Sequence, residues 1–287
     1  MRFIFLGTGT SAGIPAIACD CAVCHSADPR DQRLRTGAAV VFNDLQGHER
    51  VVLIDATPDL RQQALRAGLR RCDAILFTHN HVDHTFGLDE VRRFNAVQHT
   101  PIDVFAEDHT MEHLRRVYKH IFDRAHNVND SFVASLILRR VAPAEPIDLF
   151  GLRVTPLRLF HGRLPIVGYR LDAPPEIWGA EAALPLAYCT DVSAIPPETY
   201  PLLRGLGTFV LDALRHRHHP THLSLAESVD IAERVAARRT YFVHMAHDLP
   251  HEETNAALPD GMRLAHDGLT LGVVQPITSP APGTHPD

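Results

Sequence analysis

Short apolar runs separated by glycine, proline and polar turns dominate the chain, and they predict strands more often than helices. Residues 2–6 read as a buried strand that leads into a glycine-bearing loop over 7–13. That loop lacks the Gly-Lys-Ser/Thr ending of a phosphate-gripping loop and no helical pattern follows it, so it is structural or lines a site. Residues 38–42 and 50–54 predict a hairpin around the turn signals Asn43-Asp44 and Gly47. Pro58 suits the first turn of a helix running to Ala67 and closed by Gly68. Further buried strands are predicted at 73–77, 102–105, 186–189, 208–211 and 240–243, with a strand-rich stretch over 132–169. Helical spacing covers 87–96, 107–122, 198–203, 224–237 and 252–258, and the start of 224–237 has capping-box spacing, Ser224 to Glu227. Residues 92–130, rich in Arg and His, predict a flap facing a substrate, and 173–179 and 212–222 predict loops. The pattern describes one α/β domain over 1–278 and a disordered tail over 279–287.

Composition narrows the class. With 45% hydrophobic residues the chain can bury a sizeable core, and a net charge of -6 leaves no nucleic-acid footprint at the level of the whole protein. No apolar run approaches the roughly 18 residues that a membrane crossing needs, and no secretory signal pattern opens the sequence, so a cytoplasmic protein is expected. Of five cysteines, three crowd into Cys19-Asp20-Cys21-Ala22-Val23-Cys24, which favours a metal knuckle in a reducing compartment over a disulfide framework. Cys72 and Cys189 lie in apolar runs and read as core thiols. The arginines of 28–35 read as a solvated charge run or as a device that steers an anionic substrate.

The chemistry concentrates where the strand at 73–77 ends, in Thr78-His79-Asn80-His81-Val82-Asp83-His84. Imidazole and carboxylate suit zinc or manganese, and side chains at i and i+2 of an extended segment point the same way, so His79 and His81 can hold one ion. Beyond a turn, Asp83 and His84 can face a second ion, the arrangement of a two-metal hydrolase. The same grammar, an apolar run followed at once by a ligand-type residue, recurs at Phe160-His161, Thr190-Asp191 and Val243-His244. In layered α/β folds such strand ends converge on one rim.

With those residues in view, the chain resembles the metallo-β-lactamase superfamily, whose signature is T-H-x-H-x-D-H followed by a later His, a bridging Asp and a final His. The resemblance implies an αββα sandwich of two mixed β-sheets flanked by helices, and two catalytic divalent ions, zinc or manganese. One ion falls to His79, His81 and His161, the other to Asp83, His84 and His244, with Asp191 bridging. Within the superfamily, Leu6-Gly7-Thr8-Gly9-Thr10 and the cysteine knuckle resemble the PhnP-like phosphodiesterases, the phosphoribosyl cyclic phosphate phosphodiesterase family. That resemblance implies one structural zinc on Cys19, Cys21, Cys24 and His247; His25 is too close in sequence to serve as the fourth ligand and reads as exposed. It also implies that His222, in Thr221-His222-Leu223-Ser224, donates a proton, with His216, His218 and His219 as competitors for the role. The reaction so implied is hydrolysis of a small, cyclic ribose or nucleoside phosphodiester by hydroxide bridging two metals, with Asp83 in the catalytic set, and a homodimer carries over from the family. Asp59 reads as a helix-start residue or as an orienter of a ligand His. Alternatives are a ribonuclease Z-like activity, a thioester or lactam hydrolase, and a non-hydrolytic accessory protein of the PqqB kind.

Overall fold

In the computed structural model the described residues are 1–123, 132–174 and 183–272. Strands β1 (Arg2–Gly7), β2 (Gly37–Asn43) and β3 (Glu49–Ile54) pair antiparallel, and β4 (Ala74–Leu76), β5 (Ile102–Ala106) and β6 (Leu136–Arg140) extend the sheet in parallel. The second sheet repeats this plan. Its β7 (Ile147–Leu149), β8 (Leu152–His161), β9 (Leu164–Asp172) and β10 (Leu186–Cys189) are antiparallel, and β11 (Thr208–Asp212), β12 (Arg239–Val243) and β13 (Met262–Leu264) follow in parallel. A final strand, β14 (Thr270–Leu271), returns to the outer edge of β1, which gives two seven-stranded mixed sheets.

The alternation of side chains along each strand builds the layers. Phe3 and Phe5 of β1 join the core between the sheets, alongside Tyr169, Tyr188, Val210 and Val243 from the second sheet. Ile4 and Leu6, between them in sequence, join a second core beneath helices α1 (Leu60–Ala67), α3 (Arg92–Gln98) and α4 (Asp108–Val117). Likewise Phe209, Leu211 and Phe242 pack into a third core with Leu225 and Ala232 of the helix that follows β11. Strands buried on both faces explain why the sequence showed continuous apolar runs rather than polar alternation. The result is helix, sheet, sheet, helix, the expected αββα sandwich.

Local differences have local causes. The helix expected over 107–122 breaks at Tyr118 (φ -102°, ψ 44°) into α4 and a one-turn helix over Lys119–Phe122, and the buried Tyr118 hydroxyl donates to Thr85 O at 2.8 Å. The helix expected over 224–237 spans Leu225–Val235, with Ser224 and Glu227 forming the capping box and Ala236 in the left-handed region closing it. The loop over 7–13 lies so close to the segment beside it that a Cβ on Gly7 would sit 2.0 Å from Arg35 O, and one on Gly9 2.7 Å from Arg33 O. The arginine run is not a solvated face. Arg33 is buried and donates to Ala246 O (2.9 Å) and Leu249 O (2.5 Å), Arg30 pairs with Asp28 and Glu252, and Arg35 is held by Asp59 and Ser11 O. Asp59 therefore serves Arg35 rather than a ligand His. No helix among the described residues is long and apolar enough to cross a membrane. The expected tail over 279–287 lies outside the described residues, as do 124–130 of the expected flap and most of the loop expected over 173–179.

Candidate metal centre

β4 ends against the neighbouring strand, Phe77 donating its backbone N–H to Phe105 O, and the chain then turns across to the second sheet. Tyr169 donates its hydroxyl to Phe77 O at 2.6 Å, and Val167 donates its N–H to Thr78 O at 3.1 Å, so the ligand-bearing segment is fastened between the sheets. His81 then starts the short helix α2 (Val82–Thr85), which carries Asp83 and His84 inward. His161 ends β8, Asp191 follows β10, and His244 follows β12.

These residues meet in two adjoining groups. His79, His81 and His161 have ligand atoms within 4.8 Å of one another, as do Asp83, His84, Asp191 and His244. Asp191 lies between them: its Oδ2 is 3.2 Å from His84 Nε2, and its Oδ1 is 3.1 Å from His244 Nε2 and 3.9 Å from His79 Nε2. Asp191 and His244 both hold positive φ, 58° and 59°, a backbone state that costs about 1–2 kcal/mol for a side-chain-bearing residue. Tertiary packing maintains that strain at the site.

The hydrogen bonds behind the rings decide which nitrogen is free. Asp55, at the end of β3, accepts from Thr78 N (2.8 Å) and Thr78 Oγ1 (2.9 Å), and from His84 Nδ1 (2.7 Å). Because the single Thr78 hydroxyl proton goes to Asp55, Thr78 Oγ1 must accept from His79 Nδ1 at 2.9 Å. His161 Nδ1 donates to Thr221 O at 2.7 Å. In His79, His84 and His161 the proton is therefore on Nδ1 and the Nε2 lone pair faces the centre. The Nε2 atoms of His79, His84 and His244 are buried with no hydrogen-bond partner in the protein, which is the condition of a metal ligand.

Charge shows a demand for positive charge at the site, which a proton on His84 Nε2 or a metal ion can meet. Burial opposes charge on His84, yet the fields of Asp191, Asp55 and Asp83 outweigh it and push this pKa well above the ordinary value. Burial and the neighbouring His84 push His79 well below its own ordinary value, and burial pushes His161 down to about 4. Carboxylates buried among imidazoles, without a Lys or Arg in the group, call for cations. The donor set, nitrogen and carboxylate oxygen, fits zinc or manganese.

Asp212, at the end of β11, was not singled out in the sequence, nor was Asp55. Asp212 Oδ2 lies 3.3 Å from His222 Nδ1 and Oδ1 lies 3.5 Å from His244 Nδ1. The His222 ring stacks on His244 (centroids 4.7 Å apart, 10° between planes) and meets His161 at 4.5 Å. Both missed aspartates obey the rule that located the other ligands, an apolar run followed at once by a carboxylate: Ile54-Asp55 and Leu211-Asp212. Of the competing histidines, His216 lines a surface groove between Leu225–Val235 and His251–Ala257, and His218 faces Glu227 at 3.5 Å.

At a separate place, His247 Nδ1 sits 3.0 Å from Cys19 Sγ, 3.4 Å from Cys21 Sγ and 3.5 Å from Cys24 Sγ. Backbone N–H donation from Cys24 draws the Cys21 thiol down to about 7, while burial pushes the Cys24 thiol up to about 11. His25 instead approaches Asp20 and is exposed, and Cys72 and Cys189 are buried free thiols.

Comparison with known proteins follows the same lines. A family model described as a β-lactamase superfamily domain matches residues 50–245. A solved structure of a diphosphatase from the PhnP family is 44% identical, with 94% of this chain and 97% of that one covered, at a TM-score of 0.81. An octanoyltransferase of Porphyromonas gingivalis is 34% identical over 275 residues, 94% of this chain and 51% of that protein, so the chain spans about half the length of that relative. A coenzyme PQQ synthesis protein B of Methylobacterium nodulans is 27% identical, with 94% of this chain and 99% of that protein covered.

Proposed function

The chain belongs to the metallo-β-lactamase superfamily, and we propose that it is a metal-dependent hydrolase that acts on small phosphodiesters, cyclic ribose or nucleoside phosphates in particular. The observation that carries the reading is the pair of adjoining ligand groups about Asp191, with His222 stacked beside them. His79, His81 and His161 would hold one divalent ion, Asp83, His84 and His244 the other, and Asp191 both. Bound there, such ions supply Lewis acidity that acidifies water and offsets charge growing on phosphoryl oxygens.

The protein's own residues do the rest. Asp55 and Thr78 lock the tautomers of His84 and His79, and Thr221 O locks that of His161. Asp212 faces the Nδ1 of His222, which leaves Nε2 as the atom that carries a proton to the departing oxygen. Cys19, Cys21, Cys24 and His247 would form a closed structural zinc site. The chain acts as one domain in this reading, and its free thiols fit a reducing compartment.

The test is turnover of a panel of cyclic and linear phosphodiesters by protein reconstituted with zinc or manganese, beside a His222→Ala control. We expect turnover of cyclic phosphates and a loss of about 10²–10⁴ in kcat for the variant with metal content unchanged. Unchanged kcat in His222→Ala would remove His222 from the reaction, and no turnover of any phosphodiester would remove the substrate class. A second reading is hydrolysis of an acyl thioester, because the same centre can attack an acyl carbon; the chain matches about half of an octanoyltransferase, a protein that handles an acyl group. A thioester panel run beside the phosphodiesters separates the two.

A further inference from the structure

His219 lies one ring outward from His222, their centroids 5.2 Å apart. The rings of His244, His222 and His219 thus form a series from the buried centre to the partly open rim. The loop that carries His219 is held from within: Arg215 donates from Nε to Arg217 O (3.2 Å) and from Nη2 to His218 O (3.1 Å). Thr221 seats it against the turn after β8, where a Cβ on Gly162 would come within 2.8 Å of Thr221 Cγ2.

Thr221 also sets the protonation of the His219 ring. Its backbone N–H (3.3 Å) and its hydroxyl (3.2 Å) both approach His219 Nδ1. A backbone N–H can only donate, so Nδ1 accepts and the neutral ring carries its proton on Nε2. Thr221 therefore does two things at once, accepting from His161 through its carbonyl and fixing the N–H donor of His219 on Nε2. Among the described residues no protein group accepts from that Nε2, and neither His216 nor His218 shares its position.

We propose that His219 is a specificity-determining residue whose Nε2–H donates to an acceptor oxygen on the group attached to the scissile phosphate, a sugar hydroxyl or ring oxygen being the fitting class. The inference rests on the phosphodiesterase reading above. It assigns His219 to recognition and leaves proton donation with His222. A neutral donor to a neutral oxygen is a modest interaction, so its loss should appear mainly in KM.

The experiment compares two cyclic phosphodiesters: adenosine 2′,3′-cyclic phosphate, which carries the sugar, and ethylene phosphate, which does not. For His219→Ala we expect KM for the nucleotide to rise about fivefold with kcat within about twofold, and ethylene phosphate to be unaffected. His219→Gln, which restores an N–H donor, should recover part of the loss. Equal losses on both substrates, or a fall confined to kcat, would overturn the assignment. A second measurement does not depend on turnover: long-range ¹H–¹⁵N spectra of the metal-loaded wild type should show His219 as the Nε2–H tautomer, with its Nε2 resonance moving on addition of adenosine monophosphate. An Nδ1–H tautomer, or a resonance unmoved at saturating nucleotide, would also overturn it. If the wild type turns over neither cyclic phosphate, the phosphodiesterase reading fails by itself and the spectra still judge His219.

Discussion

Asp55 touches no position where a substrate could bind, yet it fixes two ring nitrogens of the centre, one directly at His84 and one through the Thr78 hydroxyl. Its burial pushes its pKa up, and the His84 and Thr78 contacts offset only part of that push. Removing such a partner commonly weakens metal affinity or activity by about 10–100-fold. Asp55→Ala should therefore lower metal affinity by about that factor in a chelator-competition titration. Affinity equal to wild type would mean that the His84 and His79 rings are oriented by packing alone. The Asp212 carboxylate, shared between His222 and His244, stands in the same relation to the other side of the centre.

Among the elements, the strand ends carry the candidate ligands and the helices stabilise the frame. Leu225–Val235 follows the loop that bears His219 and His222, and its start is secured by Ser224, which accepts from Glu227 N while the Glu227 carboxylate accepts from Ser224 N at 2.7 Å. Ser224 Oγ also lies 2.7 Å from Glu227 Oε2, a further tie in the same cap. Ser224→Ala should cost about 1 kcal/mol, seen as a lower denaturation midpoint in urea with unchanged slope. Phe77 presents a fully buried ring at the end of β4. Phe77→Ala should cost about 3–5 kcal/mol and loosen the ligand segment along with the core.

In the whole molecule, residues 244–249 link the two proposed metal sites. His244 faces one, His247 the other, Met245 exchanges backbone hydrogen bonds with Thr8 and Thr10, and buried Arg33 holds the carbonyls of Ala246 and Leu249. A Cys21→Ser, Cys24→Ser double variant should bind one zinc fewer per chain than wild type by elemental analysis and melt at a lower temperature. An unchanged zinc count would show that the knuckle holds none. The nearby His251 is kept neutral: burial and the charges of Arg30 and Arg33 hold its pKa down to about 4. Unfolding releases it to the ordinary value, so between that value and about 4 the unfolded chain binds the extra proton and stability falls as pH falls. The loss can reach about 3 kcal/mol and levels off below the folded pKa. Denaturation at a series of pH values should show a shallower acid slope for His251→Gln; identical slopes would assign the acid loss to other groups.

What the residue order determined by itself was the grammar of the strands and their endings. Runs buried on both faces read as strands because alternate side chains feed different cores, and Phe160-His161, Thr190-Asp191 and Val243-His244 read as ligand positions because a polar residue closing such a run sits at a sheet edge. The cysteine knuckle was legible because its three thiols are close in sequence, and its fourth member, His247, entered only through the family resemblance. Asp55 and Asp212 obeyed the same grammar and were passed over, because orienting another residue's nitrogen is a relation between distant segments with no local signature. The arginines of 28–35 were misread for the same reason: a charge looks solvated in sequence, and only the fold brings the carbonyls of Ala246 and Leu249 to Arg33. Tautomers, the position of Asp191 between two groups, and which loop histidine stacks beside them depend on distances across the gap between two sheets. Those distances exist only once both sheets have closed on each other.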